Sequence, residues 1–199
     1  MNHRRELSTR IGLSAGIALL TLSVAGAGLL LTGIAGCGSD DKTETVTADE
    51  RGARSPGDPL EVGDLAPDFR LERLDGSPLQ LSDLRGKAVL IDFWATWCPP
   101  CRVAMPDLIQ LSRDHADSLV VVGIALDQQG RQVVEPFVEK FGVTFEVVLY
   151  DDKVVTDYGN IRSIPTTFLV DPQGRVVGKW VGLASKENYE EAIRVALRG

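Results

Sequence analysis

Two cysteines stand three positions apart in Trp97-Cys98-Pro99-Pro100-Cys101, a spacing at which two sulfurs can close a small ring and open it again. The other chemistry open to such a pair is half of a zinc site. Zinc needs two further ligands, and the chain offers only Cys37, His3 and His115 besides the pair, the first two in the N-terminal leader region. Redox exchange is therefore the expected chemistry, with no metal or organic cofactor. The preceding run, Ala88 to Trp94, is apolar apart from Asp92, as expected for a strand buried on both faces of a sheet. The cysteines thus sit where a strand hands over to a helix. A helix beginning at about Pro99 aims its unpaired N–H groups and positive dipole end at Cys98, favouring thiolate over thiol. Proline in a first helical turn forfeits no needed hydrogen bond.

The elements that position the pair follow from hydrophobic periodicity. Alternation through Leu71 and Leu74, a turn at Asp75-Gly76, then Leu79 and Leu81 predict a hairpin leading into a short helical turn. Beyond Cys101, Val103, Leu108, Ile109 and Leu111 predict a helix to about His115, kinked by Pro106. Residues 119–126 read as a second buried strand, 133–141 as an amphipathic helix, 145–150 as a third strand and 154–158 as a short helical piece. Alternating strands and helices predict parallel pairing. Strands at 166–170 and 176–181, joined by Asp171-Pro172-Gln173-Gly174, predict an antiparallel hairpin, and Ser185 caps a final helix over 186–197.

The chain has 199 residues, 44% hydrophobic and 25% charged, which suits one globular domain plus extensions. Its formal net charge is −7, and the segment before Cys37 carries three arginines against one glutamate, so the body is more acidic still. Nucleic-acid binding is excluded for so acidic a body. Arg4, Arg5 and Arg10 precede an uncharged stretch from Ile11 to Ile34, the layout of a signal peptide or a retained spanning helix. Ile34-Ala35-Gly36-Cys37 resembles the lipobox of bacterial lipoproteins, in which the cysteine is lipidated and becomes the new N-terminus. The expected organisation is a signal peptide over 1–36, lipidated Cys37 and a flexible polar tether over 37–60, and a domain over 61–199. Either reading of the leader places the domain on the extracytoplasmic face of the membrane, because the arginines stay inside.

The segment Asp92 to Cys101, followed much later by Ile164-Pro165-Thr166-Thr167-Phe168, resembles the extracytoplasmic thioredoxin-like proteins of the TlpA and ResA type. The likeness runs from about residue 62 to 197 and includes the opening Ala66-Pro67-Asp68-Phe69 shared with the wider peroxiredoxin-like group. It implies an α/β thioredoxin-like fold, a mixed central sheet flanked by helices, with an N-terminal hairpin extension. It implies that Pro165 is a cis-proline facing the pair, leaving the Ile164 backbone open for a substrate segment to pair with. The residues alone also admit Pro165 as an ordinary strand opener. Asp92, six positions before Cys98, matches the buried acid that thioredoxins place beneath the second cysteine; burial should raise its pKa so that it takes a proton from Cys101. The alternative is an acid satisfied by backbone or a lysine at a strand end. Trp97 either covers the disulfide as part of a docking surface or simply packs, and packing is the reading for Trp94. Gly182 matches a glycine that lets a loop approach the site, although an ordinary strand-ending glycine also explains it. One position departs from the pattern: Ala104 stands where many relatives carry a glutamate before Met-Pro, so the dithiol is expected to be tuned by Asp92 alone.

The function implied is thiol-disulfide exchange. Cys98 attacks a disulfide in an envelope protein, and Cys101 then frees the target in reduced form. The resemblance suggests apocytochrome c as substrate and a membrane electron-transfer protein as reductant. Three rivals use the same fold. A disulfide-forming oxidase runs the same atoms in reverse, and the sequence leaves direction open. A thiol peroxidase needs a proline and a hydroxyl residue seven and three positions before the active cysteine, where Ile91 and Ala95 stand. A copper or haem chaperone of cytochrome assembly would not turn over; related copper carriers space their cysteines four apart and add a histidine, whereas His115 reads as a helix-surface residue.

Overall fold

All seven residues of the strand leading to the cysteines, Ala88–Trp94 (β3), are buried, because this strand lies in the middle of the sheet with layers packed on both faces. The computed structural model describes residues 54–198. The leader, Cys37 and the first part of the tether lie outside the described residues. A two-stranded antiparallel hairpin, Arg70–Glu72 (β1) and Pro78–Gln80 (β2), precedes β3, in register at Leu71 and Leu79 and turned by Asp75, whose carboxylate accepts from the Ser77 N–H at 2.8 Å. A 3-10 turn over Leu81–Leu84 follows it.

After β3 the chain alternates: helix Pro99–Asp114 (α1), strand Leu119–Ala125 (β4), helix Arg131–Phe141 (α2), strand Glu146–Leu149 (β5) and helix Asp152–Asp157 (α3). Strands Thr166–Val170 (β6) and Val176–Val181 (β7) and helix Lys186–Ala196 (α4) complete it. The five-stranded sheet runs in the order β5-β4-β3-β6-β7. The strands joined by helical crossovers pair parallel, and β6 pairs antiparallel with both β3 and β7, the latter through the expected hairpin. Ser185 caps α4, its hydroxyl accepting from Asn188 N–H. Helix α1 continues through Pro106 to Asp114, and α2 starts two residues earlier than the periodicity indicates and contains Pro136.

Period-two alternation along β3 sorts the core into two halves. Leu90 and Trp94 join Met105 and Leu108 of α1, Val134 of α2 and Ile193 of α4. Val89, Ile91 and Phe93 join the hairpin leucines Leu71 and Leu79, together with Val154 and Tyr158 from the α3 region. Gly123 of β4 is required by the first half: a Cβ there would stand 2.8 Å from Trp94 Nε1 and 2.9 Å from Phe145. The packed domain also begins earlier than expected. Leu60, assigned to the tether on polarity, is fully buried, and the Gly57 N–H donates to Thr156 O at 3.1 Å. Short polar residues around one leucine conceal a docked segment from a composition argument.

Candidate functional site

Cys98 occupies the N-cap of α1, and Pro99 and Pro100 fill the next two positions, where no intrahelical N–H is lost. The two cysteines are joined as a disulfide with Cα atoms 5.3 Å apart. The Cys101 backbone N–H points at Cys98 Sγ, 3.3 Å away. That N–H is one of the unpaired donors of the helix start, so it stabilises negative charge on Cys98 once the bond opens. The loop ahead of the pair is pinned from the neighbouring strand: Asp127, just past β4, accepts from Thr96 N–H at 3.0 Å and from the Thr96 hydroxyl.

Across from the pair lies the loop that enters β6. The Ile164–Pro165 bond is cis, and Ile164 O lies 3.7 Å from Cys98 Sγ. In the oxidised pair Cys98 has no S–H, so this is a close approach rather than a hydrogen bond. Thr166 Oγ1 donates to Ser163 O at 2.7 Å and the Gly182 N–H to Pro165 O at 2.8 Å, fixing the loop from both sides. Gly182 is needed for its backbone angle, φ +90°, since a Cβ there would meet nothing within 4 Å. Close approach is therefore not its reason.

Trp97 is 65% exposed beside the pair, whereas Trp94 is buried in the core. Cys98 departs from expectation. The attacking sulfur reads as exposed from its place at a helix start, yet the residue is 3% exposed, close to the fully buried Cys101. The Ile164 carbonyl and the surrounding core residues cover it.

Asp92 lies on the α1 and α4 side of β3, the side to which both cysteines belong. It is buried, and desolvation pushes its pKa up to about 7, opposed by a hydrogen bond from Thr167. Thr167 sits directly opposite it in the β3–β6 register and donates from Oγ1 to Asp92 Oδ1 at 2.8 Å. The same hydroxyl lies 3.1 Å from the Tyr189 hydroxyl of α4. Asp92 Oδ2 has no partner, and no lysine or backbone group satisfies it. Ala104 is buried on α1 and contributes no charge. Among the described residues no three His, Cys, Asp or Glu side chains converge as a metal site.

Sequence reasoning missed Thr96, Asp127, Thr167 and Tyr189. Asp127 carried a usable signal, since it ends an apolar run at the carboxyl edge of a parallel strand, where α/β folds gather functional groups. Thr167 becomes visible only with strand register, and Tyr189 only with the packing of α4.

The arrangement is a dithiol at a helix start, a cis-proline loop against it and a buried acid on the same side of the central strand. The AhpC/TSA family profile matches residues 62–179. The chain is 35% identical to the thioredoxin-like protein YneN of Bacillus subtilis over 136 residues, 67% of this chain and 79% of that protein. It is 39% identical to the thiol-disulfide oxidoreductase ResA of Geobacillus kaustophilus over 133 residues, 65% of this chain and 74% of that one. Its structure resembles a thiol:disulfide interchange protein of the thioredoxin family from Chlorobium tepidum with TM-score 0.61 and 32% identity, covering 73% of this chain and 99% of that chain. With the Cys98–Cys101 pair in place, the chain belongs to the AhpC/TSA family and is a thioredoxin-like thiol-disulfide oxidoreductase.

Proposed function

We propose that this oxidoreductase works tethered to the membrane on its extracytoplasmic face, reducing disulfides in envelope proteins, with apocytochrome c as the target class. The observation that supports the exchange chemistry is the buried Asp92 carboxylate, its Oδ2 without a partner, on the same side of β3 as the cysteine pair. A base at that place speeds attack by Cys101 on the mixed disulfide, the step that releases a reduced target. Cys98 Sγ attacks a target disulfide, one target thiolate leaves, and Cys101 gives its proton to Asp92 as its sulfur displaces the second. Two electrons pass to the target and the pair ends as the disulfide. A membrane protein that carries electrons outward re-reduces it.

Cys37 and the lipobox-like residues before it favour a lipid anchor, and the anchor keeps the domain near that donor. Peroxidase chemistry finds no support at Ile91 and Ala95, both fully buried and without a hydroxyl. The deciding experiment is a redox titration of the full chain, read by alkylation mass shift of Cys98 and Cys101. A potential near that of thioredoxin, about −270 mV, supports a reductase, and one near about −120 mV overturns it in favour of a disulfide-forming oxidase. Trapping with Cys101→Ser identifies the target as the mixed disulfide, and Cys37→Ala should move the protein from the membrane to the soluble fraction.

A further inference from the structure

We propose that Thr167 and Tyr189 are positioning residues of the redox site, a chain of two hydroxyls that holds Asp92 through Oδ1 and leaves Oδ2 free to exchange a proton with Cys101. Neither residue touches the sulfurs in this role; both act through the carboxylate. The geometry is specific. Tyr189 OH lies 3.1 Å from Thr167 Oγ1, which lies 2.8 Å from Asp92 Oδ1, and all three residues are buried. When the tyrosine donates to the threonine, the threonine's only proton points at the carboxylate. Two aligned donors then favour the ionised acid against desolvation, which alone would keep it protonated.

The chain also joins three elements, β3, β6 and α4, so the carboxylate is held by both the neighbouring strand and the helix that packs over it. Trp180 of β7 stacks edge-on against Tyr189 with ring centroids 5.0 Å apart, which holds the phenol in place. The titratable group coupled to Asp92 is Tyr189 on α4; Asp107 of α1 bears on the tyrosine rather than on Asp92. Burial raises Tyr189 to about 12, so it remains a proton donor throughout the working range. No arginine or lysine contributes to the ionisation of Asp92. With Ala104 supplying no second acid, the two hydroxyls are the groups that hold the base in its working state.

In the step concerned the Cys101 S–H proton passes to Asp92 Oδ2, Cys101 Sγ bonds to Cys98 Sγ, and the bond from Cys98 Sγ to the target sulfur breaks. The target leaves as thiolate and is protonated by solvent. The proposal rests on the thiol-disulfide exchange activity and holds for either physiological direction, since the proton crosses the same gap both ways.

The test uses the full chain, pre-reduced, with insulin as disulfide probe, in single-turnover reactions from pH 5 to 9. Wild type should show a rate limb with its midpoint near neutrality. Thr167→Val should move that midpoint up by about one pH unit, which is about fivefold slower at pH 7 and about tenfold slower at pH 5. Tyr189→Phe, which removes one oxygen, should shift it the same way by less, and Thr167→Ser should restore it. Should Thr167→Val fail to fold, Tyr189→Phe carries the comparison. In wild type, an infrared band of a protonated carboxyl should persist to about pH 7. An unmoved midpoint in both variants, or loss of that band near pH 4, overturns the proposal. Failure of wild type to reduce insulin at any pH would instead overturn the activity on which it rests.

Discussion

On one side of the central sheet Val89, Ile91 and Phe93 face an aromatic cluster, and on the other Leu90, Asp92 and Trp94 face α1, α2 and α4. The first side is dry and satisfied. Phe93, Tyr158 and Phe168 meet with centroids 5.3 to 6.1 Å apart, and the one hydroxyl, on Tyr158, donates to Pro67 O at 3.0 Å. The second side holds both orphaned polar atoms among the described residues, Asp92 Oδ2 and Trp94 Nε1. A buried unsatisfied group costs about 1–3 kcal/mol. The same strand thus carries a face selected for stability and a face on which stability is given up around the redox pair.

Substitutions on the two faces should separate these roles. The largest effect is expected from Cys98→Ser, which removes the attacking sulfur and should abolish insulin reduction while urea unfolding of the reduced protein changes little. Phe168→Ala, on the dry face, should do the reverse. It should cost roughly 3–5 kcal/mol in urea unfolding yet leave the midpoint of the pH–rate profile unchanged. A shifted midpoint would show that the faces are not independent.

Asp92→Asn addresses the redox face by pH. The carboxyl holds its proton more tightly in the folded chain, at about 7, than at its ordinary 3.8. The folded state therefore binds more protons between these values, and stability falls as pH rises through that window. The fall is at most roughly 4 kcal/mol, from 1.36 kcal/mol per pH unit. Asp92→Asn should flatten it, giving a protein relatively more stable at pH 8 than at pH 5 compared with wild type, and slower in the resolving step. An unchanged slope between pH 4 and 7 would place the titration elsewhere. The smallest effect is expected from Tyr158→Phe, which loses one hydrogen bond and should cost about 1 kcal/mol with activity intact.

What could be read from the sequence was whatever local periodicity encodes. The run 88–94, the helix start at Pro99, the hairpin around Asp75-Gly76 and the Asp171–Gly174 turn are contiguous signals, and each element appears within a residue or two of its expected limits. The dithiol was legible for the same reason. Asp92 stood out because an acid in an apolar run is conspicuous. Its partners did not, because Thr167 is 75 positions away and Tyr189 a further 22, and only strand register and helix packing bring them together. The burial of Cys98 was misread because a helix N-terminus says nothing about the loop 66 positions later that covers it. Leu60 was misread because the polar, glycine and proline residues of 54–59 followed by one leucine resemble a linker until the surface that receives them is known.

The recessed position of Cys98 has a consequence for which proteins can be clients. Displacement at sulfur requires the incoming and departing atoms to lie in line, so an attacker at 3% exposure cannot be reached by a rigid body that only collides with it. A folded protein whose own cystine is equally sunken cannot bring the two sulfurs into line, whereas a flexible segment can adjust to the recess beside the exposed Trp97. The recess thus sets a requirement for flexibility at the client's disulfide that is separate from any side-chain recognition.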